Sequence, residues 1–226
     1  MDIGAAIMLG LAVAALLGYL VLNAIRMKAV TRRFAEQAKA RGWSLTGGTG
    51  PLAYTVEGQA RGVPFKVVSR RPTGMVGQTR GNAPTITTVT MTAPRVEGHV
   101  IAHPIIPESF GSKLAFAMSG RMLRNLMLGS ETSTVDEMND VTDAFKGVFP
   151  STHVVAATNA ALAQQVFSKD TRQMLTELSR SFGHRRPIVM IRKSTSVAVR
   201  VLAEPNSIED IDALIKMAQL LARPEG

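Results

Sequence analysis

An uninterrupted apolar stretch over residues 3–25 constrains this chain more than any other feature of its sequence. The stretch reads IGAAIMLGLAVAALLGYLVLNAI and contains no charged side chain. A helix rises about 1.5 Å per residue, so a stretch of this length reaches about 35 Å and spans a hydrocarbon layer about 30 Å thick. A long globular helix normally has a polar face, and this one has none. The pattern therefore predicts a transmembrane anchor, assigned to residues 1–25.

The charges on either side of this stretch predict its orientation. The chain begins Met1-Asp2, whereas a cleaved signal peptide has a basic start and a shorter apolar core. Lysine and arginine next to a span stay on the cytoplasmic side. The sequence therefore predicts a single-pass protein of a bacterial inner membrane, with the N-terminus outside and the remainder cytoplasmic. The basic residues after the span, a predicted membrane-surface site for anionic headgroups, are Arg26, Lys28, Arg32 and Arg33.

Small residues recur at every fourth position within the apolar stretch. Such a stripe lets a second transmembrane helix approach closely, either from another copy of the chain or from a partner. A segment rich in alanine and glycine also produces such stripes by chance, and the sequence does not separate the two interpretations. The residues of the stripe are Ala6, Gly10, Ala14 and Gly18.

The remainder of the chain divides into a stem and a domain. Residues 26–42 predict a basic helical stem, because apolar residues recur there at helical spacing and Gly42 is a natural stop. Residues 43–226 predict one cytoplasmic α+β domain. Two prolines place a sub-boundary of this domain near residues 104–109.

The domain has the pattern of an α+β fold, with a small antiparallel sheet first and a mixed block of helices and strands after it. A C-terminal helix closes the block, with Ile208, Leu214 and Leu221 on one face. Asn206 and Glu209 predict a capping box at its start. The other predicted elements are Trp43–Thr46, Ala53–Gln59, Val63–Arg70, Thr85–Thr92, Gly98–Ala102, Phe110–Leu128, Val154–Thr158, Ala160–Phe167, Lys169–Phe182, Ile188–Arg192 and Ser196–Leu202.

Two stretches of the domain carry a resemblance. Arg41-Gly42-Trp43 leads to a hairpin at Arg61–Phe65, and Ala144-Phe145 leads to Val154-Val155-Ala156, followed by helices and two strands as far as Ala222. This succession resembles uncharacterised bacterial membrane-anchored proteins, which have one or two N-terminal spans and an α+β cytoplasmic domain of unknown function. The resemblance covers most of the chain beyond the apolar stretch. It implies an architecture and no activity.

The residues available for chemistry exclude several kinds of site. The chain has no cysteine, which rules out thiolate nucleophiles, disulfides and thiolate-bound metals. His99 and His103 are four residues apart, but on a strand that spacing separates them by more than about 10 Å, too far to share an ion. The acidic cluster at residues 136–143 lacks the central glycine of a calcium loop. We therefore predict no cofactor, no metal site and no enzymatic activity.

The excess of positive charge indicates attraction to anionic surfaces, although basic residues spread along the chain also fit a solvated surface. The net charge is +9, and aromatic residues make up only 5% of the chain. Nucleic-acid binding is disfavoured, because bases stack on aromatic side chains. The helix Phe110–Leu128 combines methionines with basic residues, which suits a protein or lipid contact, although its apolar face also suits packing on the sheet. Its candidate contact residues are Lys113, Met118, Arg121, Met122 and Arg124.

Three functions are compatible with these features. The first is a non-catalytic accessory or scaffold protein, whose cytoplasmic domain binds a protein partner at the membrane, the partner being a membrane protein or the chain's own copy. The second is a sensor of anionic membrane lipids. The third is an enzyme with an unrecognised site.

Overall fold

The computed structural model shows an α+β fold built on one antiparallel sheet. Residues 16–19, 21–22, 32–47, 53–70, 85–105, 120–147, 149, 153–182, 186–205 and 207–223 are described by the structure. In this part of the chain, nine strands pair in the order β1-β2-β3-β4-β9-β8-β5-β7-β6. The strands are β1 (Ser44–Gly47), β2 (Ala53–Ala60), β3 (Val63–Arg70), β4 (Ile86–Thr92), β5 (Val100–Pro104), β6 (Asn139–Asp140), β7 (His153–Ala157), β8 (Ile188–Arg192) and β9 (Ser196–Val201).

The pairing of β4 with β9 joins the two halves of the domain. Thr88 of β4 lies opposite Arg200 of β9, and β5 sits between β8 and β7. The sequence predicts a small sheet followed by a separate mixed block. The structure instead places both sets of strands in one sheet, because the free edge of β4 is covered by a strand from the C-terminal part. The sub-boundary near residues 104–109 stays a prediction.

The helices of the described part precede, separate and follow these strands. We label the helix over residues 32–40 α1. The helix α6 begins one residue later than predicted: Ser207 and Asp210 form its capping box, in place of Asn206 and Glu209. The other helices are α2 (Gly120–Leu128), α3 (Thr132–Asp136), α4 (Ala160–Val166) and α5 (Lys169–Phe182), and α6 covers Ile208–Ala222.

One face of the sheet, the helix-covered face, carries the larger core. Alternate residues of the strands, such as Val56, Val89 and Val199, are fully buried against the helices on this side. The helix α6 contributes Leu214 and Leu221, which are also fully buried. Burial of each such side chain contributes about 1.5–3 kcal/mol. This face therefore supplies most of the apolar stabilisation among the described residues.

The opposite face has a smaller core beneath a short helical cap. The cap consists of α2, the 3-10 turn Gly129–Glu131 and α3. Met127 and Leu128 at the end of α2 are fully buried, and they belong to the same apolar cluster as Ile101, Val189 and Ile191 of the sheet. The cap covers the β5, β8 and β9 part of this face, and its apolar cluster also includes Ile86 of β4 and Ala156 of β7. Beyond Ile86, no described helix covers this face of β2, β3 and β4.

The predicted membrane anchor is corrected by the structure. Among the described residues, no helix is long and apolar enough to cross a membrane. Within residues 1–25 the described helical segments are 16–19 and 21–22, and the other residues lie outside the described part. This finding contradicts the predicted transmembrane helix, and with it the single-pass topology and the inner-membrane location.

The helix α1 packs onto the domain. The ring centres of Phe34 and Tyr54 are 5.4 Å apart, and Ala38 is fully buried. Arg41, just after the helix, pairs with Asp212 of α6 at 3.0 Å, and its guanidinium lies over the ring of Trp43. The stem predicted over residues 26–42 is therefore, in its described portion, an integral part of the domain.

Candidate interaction surface

The uncovered side of β2–β4 is the candidate functional surface, and we call it the open face. Along each strand, successive side chains point to opposite sides of the sheet. Because Val56, Val67 and Val89 face the helices, their strand neighbours face outward. The outward residues that define the open face are Thr55, Glu57, Lys66, Val68, Arg70, Thr88, Thr90 and, from β9, Arg200.

Two rows of paired residues run across this face. In the first row, Thr55 lies opposite Val68, Val68 opposite Thr88, and Thr88 opposite Arg200. Thr55, Val68 and Thr88 are half-buried. The row is therefore a line of short β-branched side chains that ends at a cation beside the cap.

The second row is polar on the open face and becomes apolar where the cap begins. Glu57 lies opposite Lys66, and Lys66 opposite Thr90. The Lys66 ammonium and the Glu57 carboxylate are 2.8 Å apart, and their side chains remain 54% and 50% exposed. Beyond Thr90 the row continues through Ala198 and the buried Ile191 under the cap. The same line of the sheet is thus polar where it is open and apolar where it is covered.

Arg200 connects the open face to the cap. Its Nη1 atom donates to the carbonyl oxygen of Met127 at 3.0 Å and also to that of Leu128. These carbonyls lie at the C-terminal end of α2, where helical carbonyls lack partners and a cation is favoured. Burial lowers the pKa of Arg200, and the charge of Glu131 opposes that shift. Arg200 therefore caps α2 and fixes its end to β9.

A buried ion pair lies beside this clamp. Glu131 is only 3% exposed, and its carboxylate is 2.5 Å from the Lys193 ammonium. Ser130 also donates a hydrogen bond to Glu131, at 3.0 Å. Burial alone would raise the pKa of Glu131, but the hydrogen bonds from Lys193 and Ser130 and the nearby positive charges outweigh it and lower the pKa. Glu131 is consequently ionised and holds the cap to the β8–β9 turn.

The outer surface of the cap has a shallow, open depression of about 570 Å³. Arg124 and Asp136 form an ion pair across it at 2.5 Å. Asn125, Gly129, Ser130, Thr132 and Ser133 complete its lining. The depression is wide and lined by polar residues, which differs from the enclosed, mainly apolar pockets that bind small molecules.

Some of the site residues predicted from the sequence lie in the described part of the structure, and others lie outside it. Arg124 lies on the cap, paired with Asp136. Arg32 and Arg33 are exposed on α1, and Arg32 pairs with Glu36 at 2.8 Å. A Cβ atom at Gly18 would meet no described atom within 4 Å. Arg121 and Met122 belong to α2, with side chains outside the described part, and Ala6, Gly10, Ala14, Arg26, Lys28, Lys113 and Met118 lie wholly outside it.

Sequence reasoning missed the residues that organise the open face. Arg200 is the one cation within the apolar strand Ser196–Val201, a position that signals a specific partner. Arg70 ends β3 and has no hydrogen-bond or ion-pair partner among the described residues. Glu131 and Lys193 carry no comparable local signal, because their pairing depends on how the cap lies on the sheet.

Two histidines of the described part have lowered pKa values. His103 and His153 are largely buried near the β5–β7 pair, and burial lowers the pKa of His153 to about 4. Burial also lowers the pKa of His103. In the described ranges, no three histidine, aspartate or glutamate side chains are placed to hold a metal ion. Both histidines are therefore neutral at physiological pH.

Tyr54 occupies a buried polar position on the helix-covered face. In the described part its hydroxyl oxygen has no hydrogen-bond partner of normal geometry, and burial raises its pKa far above the usual value. The nearby Ser69 hydroxyl opposes this rise in pKa, and its oxygen lies 3.1 Å from the Thr87 hydroxyl oxygen. The Thr87 hydroxyl also lies 2.8 Å from the Ala203 carbonyl oxygen, to which it donates. The Thr87 hydroxyl is thus well bonded and the Tyr54 hydroxyl is not.

We expect Tyr54→Phe to raise the free energy of unfolding by about 0.5–1.5 kcal/mol, because a poorly bonded buried hydroxyl is removed without loss of the ring. Urea denaturation followed by circular dichroism measures the change. The matched control is Thr87→Val, which removes a hydroxyl that does have a partner and should destabilise by about 1–2 kcal/mol. Equal destabilisation by both substitutions would show that the Tyr54 hydroxyl is bonded.

Comparison of the sequence with protein-family models finds no matching family, and a search of the curated proteins finds no match. The open face and the charges around it are therefore the features from which a function is inferred.

Proposed function

We propose that this chain is a non-catalytic protein-binding domain whose contact surface is the open face. The observation that carries the proposal is the row Thr55, Val68 and Thr88, three half-buried β-branched side chains on a part of the sheet that no described helix covers. Short branched side chains have few rotamers, so a partner that covers them costs little side-chain entropy. An open sheet surface of this kind suits another protein better than a small molecule, which needs a concave site.

The charged groups near this face support binding rather than catalysis. Arg200 is bonded to two backbone carbonyls, and Glu131 to Lys193 and Ser130. These groups hold the cap on the sheet, and their bonds leave them unavailable for proton transfer at neutral pH. The cap in turn gives the open face a fixed border. A rigid border and a pre-formed surface reduce the cost of association.

Site-specific photo-crosslinking tests the proposal. A photoreactive amino acid in place of Thr90, which is exposed on the open face, is expected to give one dominant adduct with a protein in native cell extract. The matched control carries the same amino acid in place of Gln164, which is exposed on α4 on the helix-covered side. Mass spectrometry of the adducts identifies the partner, and irradiation of the purified chain alone identifies self-association.

The proposal is judged by comparing the adducts formed from position 90 with those formed from position 164. Adducts from position 90 that are absent from position 164 support the open face as the contact surface. The proposal fails if both positions give the same adducts, if only position 164 reacts, or if position 90 gives none.

A further inference from the structure

The open face has an excess of positive charge. Its described residues include three cations, Lys66, Arg70 and Arg200, and one carboxylate, Glu57. Glu57 is engaged by Lys66 at 2.8 Å, which leaves the two arginines without a carboxylate among the described residues of this face. Glu131 lies near Arg200, but its charge is matched by Lys193 at 2.5 Å. Within the described part, two positive charges on the open face are therefore uncompensated.

The two arginines border the same patch. Arg70 is two residues along β3 from Val68, which lies in one cross-strand row with Thr88 and Arg200. Strands are about 4.8 Å apart and side chains on one face repeat every 6–7 Å or so along a strand, so two arginine side chains can reach one patch from these positions. Burial is the main cause that lowers the pKa of Arg200, and the nearby charge of Arg70 adds to it. Arg70 is exposed and Arg200 half-buried, which gives the patch one accessible and one fixed cation.

We infer that the partner of the open face is an acidic polypeptide segment, whose carboxylates lie against Arg70 and Arg200. This inference rests on the proposed function and names the chemistry of the partner. Charge complementarity carries it, because guanidinium groups bind carboxylates through paired hydrogen bonds. The net charge of +9 on the whole chain also attracts an acidic partner at long range.

Nucleic acid is the other polyanion that two arginines could attract, and the composition of the open face disfavours it. None of the described residues that define this face is aromatic, whereas proteins bind single strands by stacking bases on aromatic side chains. The β-branched row instead offers the apolar contacts that a polypeptide can match.

Fluorescence anisotropy with labelled poly-L-glutamate tests the inference on the full chain. Arg70→Glu is expected to weaken binding by about tenfold or more, because an attractive charge becomes a repulsive one at the contact. The matched control is Lys216→Glu, which makes the same charge change at an exposed position on α6, on the opposite side of the sheet. The control should weaken binding by less than about threefold, since exposed charges beyond a Debye length are screened.

Three further readouts complete the test. Circular dichroism verifies that both variants are folded, and Arg70→Lys should bind better than Arg70→Glu because it keeps the charge. Equal weakening by Arg70→Glu and Lys216→Glu overturns the inference, since the attraction is then not local. Tighter binding of a labelled single-stranded oligonucleotide than of poly-L-glutamate, with the same dependence on Arg70, also overturns it in favour of nucleic acid. If position 90 crosslinks to a protein but Arg70→Glu has no specific effect, the proposed function stands and the acidic partner fails.

Discussion

Arg192→Ala is expected to destabilise the protein by about 3–5 kcal/mol. The Arg192 side chain is fully buried at the end of β8, and burial lowers the pKa of its guanidinium. Its Nη1 atom donates to the carbonyl oxygen of Lys193 at 2.7 Å, and its Nη2 atom donates to that of Pro94. Truncation creates a cavity and leaves these carbonyls without their donor, and both effects destabilise. Guanidinium chloride unfolding at pH 7 measures the loss.

Two further variants separate the effect of losing the buried Arg192 side chain from the effect of losing one positive charge. Arg95→Ala removes an exposed arginine from the same loop as Pro94 and should change the free energy of unfolding by less than about 0.5 kcal/mol. Arg192→Lys keeps the charge but loses the fork of donors, so it should fall between the wild type and Arg192→Ala. If Arg192→Ala is no less stable than Arg95→Ala, the buried guanidinium does not hold the loop to the β8–β9 turn.

The local elements of the fold are readable from the sequence because their signals are local. Val63–Arg70, Lys169–Phe182 and Ile188–Arg192 have the predicted boundaries, since alternation and capping residues mark their ends. The order of the strands is not readable in this way. Thr88 pairs with Arg200 from the far end of the chain, and nothing near either residue specifies that contact. The hydropathy of residues 3–25 predicts a membrane anchor that the described helices do not support.

The candidate surface is only partly accessible to sequence reasoning. The alternation within β3 does place Lys66, Val68 and Arg70 on one side, but it does not say whether helices cover that side. That depends on the packing of α6 and of the cap, which bury opposite faces of the sheet. The sequence places Arg124 on a helix, as the structure does, but the setting of Arg124 depends on its pair with Asp136 across the cap.

Lys193→Ala is expected to destabilise the protein by about 2–3 kcal/mol at pH 7, because it leaves the Glu131 carboxylate buried without its main partner. This expected loss of stability is smaller than for a fully buried ion pair, because the Lys193 side chain is 39% exposed and partly screened by solvent. The double variant Glu131→Gln with Lys193→Ala removes the charge together with its partner, and it should recover about half of the loss. Thermal and urea denaturation of the wild type, both single variants and the double variant gives the coupling free energy. A coupling near zero would show that the pair does not hold the cap.

The destabilisation caused by Lys193→Ala should depend on pH and become smaller as the pH falls. In the wild type the pKa of Glu131 is lowered from its ordinary value of 4.5, so the ionised form stabilises the fold. That contribution is fully present above pH 4.5 and is lost as the pH falls through the lower, folded-state pKa. In Lys193→Ala the main stabilising partner is removed while burial remains, so the folded-state pKa of Glu131 rises and protonation relieves the cost of the buried charge. The difference in stability between the wild type and Lys193→Ala should therefore shrink as the pH is lowered from about 7 towards about 4. If the difference stays constant over this range, Lys193 acts on the cap through packing and not through the charge of Glu131.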